Sequence, residues 1–369
     1  VSADLPTVFL TGGTGCLGTQ LAEELARRGH PVFLLVRPKT RRSAEAWLAN
    51  RRKEGQDATQ NIVIFEGDVA RPGVLLNPAT AKRVQTEASI VIHAAAVTNL
   101  ATDARSAWST NVDGTRNMFD LARGMTSLSR FVHVSAAAVS GDAEGRFAEQ
   151  ELDRGQRFYN AYAESKHTAE ADVRAAMAAL PITVVRPTAI VGHSQTGALD
   201  RIDGVYYLIL LMLRLARLPK PLRVLPVAPG GDFARIDLVP IDFVVQATLA
   251  LAEHPEAIGG TYHLSDPRAL TVRELARVFA SELDIAGPWL GFRGRPLAMM
   301  LRGGRSSATL RTLMDQLFNL PPELADGLAH RAVYDSSGAR RLLAPLGIEA
   351  PHIAGYAGAL LEFARRRLL

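Results

Sequence analysis

A chain of 369 residues, 47% apolar and 21% charged, has the balance of an ordinary soluble globular protein and can bury a large core without disulfide staples. Its net charge of +5 comes from scattered basic residues rather than a stripe or a known module. That argues against nucleic acid as a partner and leaves an anionic cofactor, an anionic substrate or a membrane surface.

A single cysteine, Cys16, cannot form an internal bridge, and the histidines show no metal-ligand spacing, so no disulfide framework and no metal site are expected. Val1 to Pro6 lacks the basic and apolar regions of a signal peptide. The longest apolar run, Val205 to Leu213, falls well short of the roughly 20 residues that span a bilayer. A cytoplasmic location is expected, with contact at the inner face of a membrane as a second reading.

In chain order, Val8-Phe9-Leu10 predicts a buried strand that runs into Thr11-Gly12-Gly13-Thr14-Gly15-Cys16-Leu17-Gly18. Leu17, Leu21, Ala22 and Leu25 recur at helical spacing, and Gly29 closes that helix. Further strands are predicted at Pro31–Val36, Ile62–Phe65, Ile90–His93, Phe131–Ser135 and Ile182–Arg186. Helices are predicted at Ala44–Arg52, Ala79–Ala88, Thr110–Arg123 and Tyr162–Ala179. This alternation predicts an α/β fold with a doubly wound parallel Rossmann sheet. After Arg186 the alternation fails, with loops marked by Pro219, Pro221, Pro226, Pro229 and Gly230-Gly231. Helices then follow at Asp242–His254 and Val272–Leu283, with a strand at Thr261–Leu264. Residues 1–192, with a returning segment at about 236–264, are expected to bind the cofactor. Residues 193–235 and 265–369 are expected to form a smaller, mixed substrate-binding subdomain.

Gly12, Gly15 and Gly18 sit in a strand-to-helix turn, where glycine lets the chain turn tightly and brings backbone amides up to a pyrophosphate at the helix N-terminus. Thr14, Cys16 and Leu17 belong to the same loop. An NAD enzyme would usually carry a carboxylate about 20 residues beyond the glycines. Here the second strand ends at Arg37, with Lys39, Arg41 and Arg42 close behind and no carboxylate before Glu45. A guanidinium suits the extra phosphate of NADP(H), and Arg37 and Lys39 are the candidates to hold it. Asp68 and Val69 after the third strand, and Ala94, Ala95 and Ala96 after the fourth, would let a cofactor lie against the strand ends, with Asp68 accepting from the adenine amino group.

Tyr162 and Lys166 stand four residues apart on one helix, and therefore on one face. A phenol with a pKa near 10 exchanges protons poorly at neutral pH, and a neighbouring ammonium lowers it. Such a phenol can protonate a carbonyl oxygen as hydride arrives from a nicotinamide.

With Asn111-Val112-Asp113-Gly114-Thr115 and Arg186-Pro187-Thr188 added, the chain resembles the extended short-chain dehydrogenases/reductases over roughly the first 280 residues. Leu35-Val36-Arg37, the stretch Ile190 to Gly197 and Ile202 to Tyr207 resemble the thioester-reductase and fatty-acyl-reductase branch. The resemblance implies that Asn111 supports the active-site hydrogen bonds and that Lys166 also holds the nicotinamide ribose. It also implies that Pro187, Thr188 and Ile190 border the cofactor. The family carries a Ser or Thr after the fifth strand, and counting back from Val139 and Gly141 puts Ala136 there. Ser135 is one residue early, which turns a strand side chain to the other face. It serves only if the strand has already bent, and Ser140 is a more remote candidate.

The apolar run Val205–Leu213, followed by Arg214, Arg217, Lys220 and Arg223, reads either as a buried helix with a basic C-terminal end or as a greasy pocket opening near a membrane. Leu360 to Leu369 is a second basic amphipathic stretch. The leading expectation is an NADPH-dependent reductase of a lipophilic carbonyl substrate, favoured as an acyl thioester on CoA or a carrier protein. One rival is reduction of a ketone or imine in a steroid-like or secondary-metabolite substrate, and another is a non-catalytic NADP(H)-binding redox sensor. Oligomeric state is not legible, and Trp289 and Gly303-Gly304 match no motif.

Overall fold

The computed structural model describes residues 5–53, 57–99, 102–199, 205–217, 225–227, 235–285, 289–291 and 331–368. Among the sequence features above, Ile202 to Gly204, Pro219, Lys220, Pro221, Arg223, Pro229, Gly230-Gly231 and Gly303-Gly304 lie outside the described residues.

Seven parallel strands form the central sheet: β1 (Thr7–Thr11), β2 (Val32–Val36), β3 (Ile62–Glu66), β4 (Ala88–His93), β5 (Arg130–Val134), β7 (Ile182–Pro187) and β12 (Thr261–Leu264). Their order is β12-β7-β5-β4-β1-β2-β3. The strands read as continuous apolar runs because both faces are covered. Val8, Leu10, Leu34, Ile92 and Val132 join one buried layer, and Phe9, Phe33, Val91 and Phe131 join the other, as the two-residue period requires. The chain leaves β1 toward β2 and β3, then returns to place β4 on the other side of β1. A crevice therefore opens beyond the carboxyl ends of β1 and β4, where such sheets bind ligands.

Around the sheet lie α1 (Cys16–Arg27), α2 (Arg41–Lys53), α3 (Pro78–Glu87), α4 (Ala104–Trp108), α5 (Gly114–Arg123) and α6 (Ala161–Ala176). The helix predicted over Thr110–Arg123 is interrupted. Asp103 caps α4 by accepting from Ser106 N, and one π-helical turn, Ser109–Asp113, separates α4 from α5. Such turns aim a side chain that a regular helix would place elsewhere, and here it is Asn111. β5 stops at Val134, so Ser135 follows the strand, and α6 ends at Ala176, short of the predicted Ala179.

The rest of the described residues add short paired strands and helices around the sheet. β8 (Ala189–Val191) pairs with β11 (Leu238–Pro240), β10 (Arg235–Ile236) with β13 (Leu270–Thr271), and β9 (Leu225–Val227) with β14 (Trp289–Gly291). β6 (Glu144–Phe147) pairs in parallel with β15 (Arg331–Tyr334), which brings a distant segment beside the Ala137–Ser140 turn that follows β5. Glu149 ties that segment down by accepting from His263 N and from Gly338 N and Ala339 N at the start of α10 (Ser337–Leu343). α7 (Tyr206–Ala216) buries Tyr206, Ile209, Met212 and Leu213, and α11 (Ala357–Leu368) buries Leu360, Leu361 and Ala364. α8 (Ile241–Glu253) and α9 (Val272–Glu282) complete the packing. The run from Val205 thus forms a largely buried helix whose Val205 and Tyr207 also border a cavity, and among the described residues no helix is long and apolar enough to cross a membrane.

Candidate active site

A cavity of about 1120 Å³ follows the carboxyl ends of the central strands. Gly12, Thr14, Gly15, Cys16, Leu17 and Gly18 form one end of it. Gly12 has φ +78°, and an added Cβ would lie 2.7 Å from the backbone of Ala94 and Ala95, while any side chain at Gly18 would collide with the Gly12 carbonyl. The first turn of α1 has no acidic residue and no side-chain cap, so the positive end of its dipole favours an anion there. These residues fit a nucleotide pyrophosphate.

Arg37, Asp68 and Val69 continue this wall past β2 and β3, and Ala94, Ala95 and Ala96 line it after β4. Pro187, Thr188 and Ile190 face it after β7. Lys39 is exposed on the Pro38–Thr40 turn, next to the cavity wall rather than on it. Arg41 is committed elsewhere, to Glu45 at 2.8 Å and Glu66 at 3.1 Å. Arg37 therefore stands as the guanidinium on the wall where β2 ends, with Arg235 lining the far part of the cavity.

Tyr162 and Lys166 line the middle of the cavity from α6, whose N-terminus is capped by Asn160 accepting from Ala163 N. Lys166 is buried and donates from Nζ to the carbonyl of Val134 at 2.6 Å. Burial pushes its ammonium down to about 8, against an opposing pull from Glu170 one turn away. Asn111 does not line the cavity. It is 2% exposed and bonds three ways: Oδ1 accepts from Val97 N, while Nδ2 donates to Val97 O and to Ser165 Oγ. Ser165 in turn donates to the carbonyl of Tyr162. Asn111 thus clamps the cavity loop after β4 to the turn of α6 that carries Tyr162.

Behind Asn111, Thr115 donates to its carbonyl at 2.6 Å, so His93 Nε2–H must donate to the Thr115 oxygen. His93 Nδ1 then accepts from Thr11, whose oxygen accepts from Ala95 N. This fixes a neutral tautomer, and burial, then Lys166, hold His93 down at about 3. His93 is a structural post beneath the site.

Ser135 borders the cavity, but its hydroxyl proton goes to Glu170 Oε2 at 2.6 Å. Ser140 donates to Ala137 O within its own turn and does not line the cavity. Neither supplies the hydroxyl missing at Ala136, which lies on the wall. Burial pushes the Glu170 carboxyl up, but Arg186, then Arg174 and Ser135, outweigh it and hold Glu170 below its ordinary value. Glu170 stands one helical repeat beyond Lys166, so its face was legible; its partner Arg186, on a different strand, was not. Tyr334, which donates to Ala137 O at 3.1 Å, carried no sequence signal, since only the pairing of β15 with β6 brings it there.

The family model described as male sterility protein, an NAD-binding domain, matches residues 10–248. Among solved structures, the terminal R domain of the myxalamid PKS-NRPS biosynthetic pathway is 30% identical, covers 100% of this chain and 93% of its own, and superposes with a TM-score of 0.79. Among curated proteins, a carboxylic acid reductase of Segniliparus rugosus is 30% identical over 68% of this chain and 23% of its own length. The fatty acyl-CoA reductase wat of Drosophila melanogaster is 27% identical over 66% of this chain and 53% of its own. The chain spans about a quarter to a half of these two curated relatives. A Rossmann sheet, a glycine-lined crevice for a nicotinamide nucleotide and a tyrosine–lysine helix accord with that match, and the chain belongs to the male sterility protein family, on the thioester-reductase branch of the extended short-chain dehydrogenases/reductases.

Proposed function

We propose that this chain reduces an acyl thioester with NADPH, releasing the thiol and forming an aldehyde. The observation that carries the reading is one continuous cavity joining the α1 phosphate end to Tyr162 and Lys166 and running on past Ala136 to β15. Nearby relatives are named as reductases of carboxylic acids and fatty acyl-CoA, which supports an acyl group as substrate. Residues 1–192 and about 236–264 would hold the nucleotide, and residues 193–235 and 265–369 would shape the acyl pocket.

NADPH, when bound, supplies the hydride. The α1 amides and Gly12, Gly15 and Gly18 would hold its pyrophosphate, with Arg37 on the phosphate that distinguishes it from NADH. Asp68 and Val69 would border its adenine, and Ala94 to Ala96, Pro187, Thr188 and Ile190 its nicotinamide half. Tyr162 would give its phenolic proton to the carbonyl oxygen as hydride reaches the carbonyl carbon, then take it back as the carbon–sulfur bond breaks and the departing thiolate picks up a proton from water. Lys166, on the same face of α6 and held by the Val134 carbonyl, would favour the phenolate left behind. Asn111 holds the Tyr162 turn in register through Ser165. Cytoplasmic work on a CoA or carrier-bound acyl group fits these features.

The test is NADPH oxidation with long-chain acyl-CoA thioesters, with free thiol measured in the same tube. Thiol released in step with NADPH consumed supports the reading, and NADPH consumption without thiol overturns it. The lack of a hydroxyl at Ala136 favours one alternative, a ketone or imine substrate that needs less help at its carbonyl oxygen, and the same assay with ketones detects it.

A further inference from the structure

Asp237 sits between β10 and β11 on the wall of the same cavity as Tyr162 and Lys166. One of its oxygens is fully engaged: Oδ1 accepts from Thr188 Oγ1 at 3.0 Å and from Asp266 N at 3.0 Å. Among the described residues, nothing donates to Oδ2, and no cation lies within ion-pair distance of the carboxylate. An asparagine would make the same two bonds, so among the described residues nothing uses the second oxygen or its charge.

Among the described residues, the surroundings supply no counter-charge. Asp266 is a second carboxylate, already bonded to His352 at 2.7 Å and to Arg268. Tyr334 on β15 and Tyr356 before α11 are neutral phenols held up chiefly by burial, with Asp237 contributing in both cases. Arg235 gives its Nη1 to Ala269 O, and Arg186 is buried against Glu170. Burial pushes the Asp237 carboxyl up to about 7; the bonds from Asp266 and Thr188 oppose this, and the Asp266 charge adds to it. A half-buried carboxyl on a cavity wall without a cation beside it lacks its natural partner.

We propose that Asp237 is a specificity residue that receives an ammonium group carried on the substrate's acyl chain, so that amine-bearing acyl groups are preferred over plain fatty ones. The proposal rests on the thioester reading above. An ammonium brought into the cavity pairs with the open oxygen while Thr188 and Asp266 hold the other, and the carboxyl gives up its proton as the cation arrives.

The experiment compares ω-aminoacyl-CoA thioesters of increasing length with unsubstituted acyl-CoA thioesters of the same lengths, on the wild type and Asp237→Asn. The expected result is a kcat/KM preference of about tenfold or more for the amine at one chain length, carried by KM, falling to about one in Asp237→Asn. An absent preference at every length, or one that survives Asp237→Asn, overturns the proposal. If neither series consumes NADPH, the thioester reading fails on its own. Calorimetry of n-alkylamines against n-alkanols on the wild-type protein with NADP+ then decides the role of Asp237. Tighter amine binding, with proton release at neutral pH seen as a buffer-dependent heat, supports it; equal binding without proton release overturns it. That measurement needs no folded variant.

Discussion

Ser135 gives its proton to Glu170 across 2.6 Å, and this one bond explains why the hydroxyl beside Ala136 is not available to a substrate. The wall near Tyr162 therefore has an alanine where its family carries a donor. Removing such a donor from an active site costs about 2.7–4 kcal/mol of transition-state stabilisation. Ala136→Ser should restore part of it, raising kcat by roughly tenfold or more with little change in KM. Unchanged kcat on thioesters and ketones alike would mean that no donor is missing. Ser135→Ala should instead lower stability by about 1.5–3 kcal/mol in a denaturant melt, since a charged acceptor loses its partner.

Tyr162→Phe should reduce turnover by about 10²–10⁴-fold while NADPH still binds, as followed by nucleotide fluorescence. A redox sensor without turnover would not register the change. Lys166, at about 8, adds a pH limb. Its ammonium is the active form, so the rate should fall as pH rises through about 8, and Lys166→Met should lose that limb. The linkage has the opposite sense for stability. Between about 8 and the ordinary 10.5 the unfolded chain holds a proton that the native lysine has released, so stability contributed at this site rises with pH across that window.

The sheet, the glycine turn and the Tyr162/Lys166 helix were legible because each leaves a local pattern: apolar runs of strand length, glycine at fixed offsets, a four-residue helical spacing. The π turn at Asn111 was not, since one extra residue in a helix barely disturbs its apolar period. The division of roles between Arg37 and Lys39 was not legible for a related reason: a basic cluster in sequence does not say which cation a turn will point inward. Asp237 and Tyr334 lie on the wall only through long-range strand pairing, of β11 with β8 and β15 with β6, and no local signal reports that.

With Lys39 off the wall and Arg41 paired to carboxylates, NADP preference should depend on Arg37. Arg37→Ala should raise KM for NADPH by roughly 10- to 100-fold, the loss of a charge-assisted phosphate contact, and leave KM for NADH nearly unchanged. Equal effects on both nucleotides would instead place Arg37 on a group that the two share.

Glu170 and Arg186 are both fully buried, 2.6 Å apart, with the remaining guanidinium donors on Glu151 O and His263 Nε2. Glu170→Gln keeps the shape but leaves Arg186 without its counter-charge, and breaking such a pair costs about 3–5 kcal/mol. The loss should appear as a lower urea midpoint at neutral pH. Because Glu170 is held below its ordinary value, its contribution is fully present above about 4.5 and fades as pH falls through the lowered native value. Wild type and variant should therefore converge in stability under acid conditions, while a difference that persists there would assign the loss to packing rather than to charge.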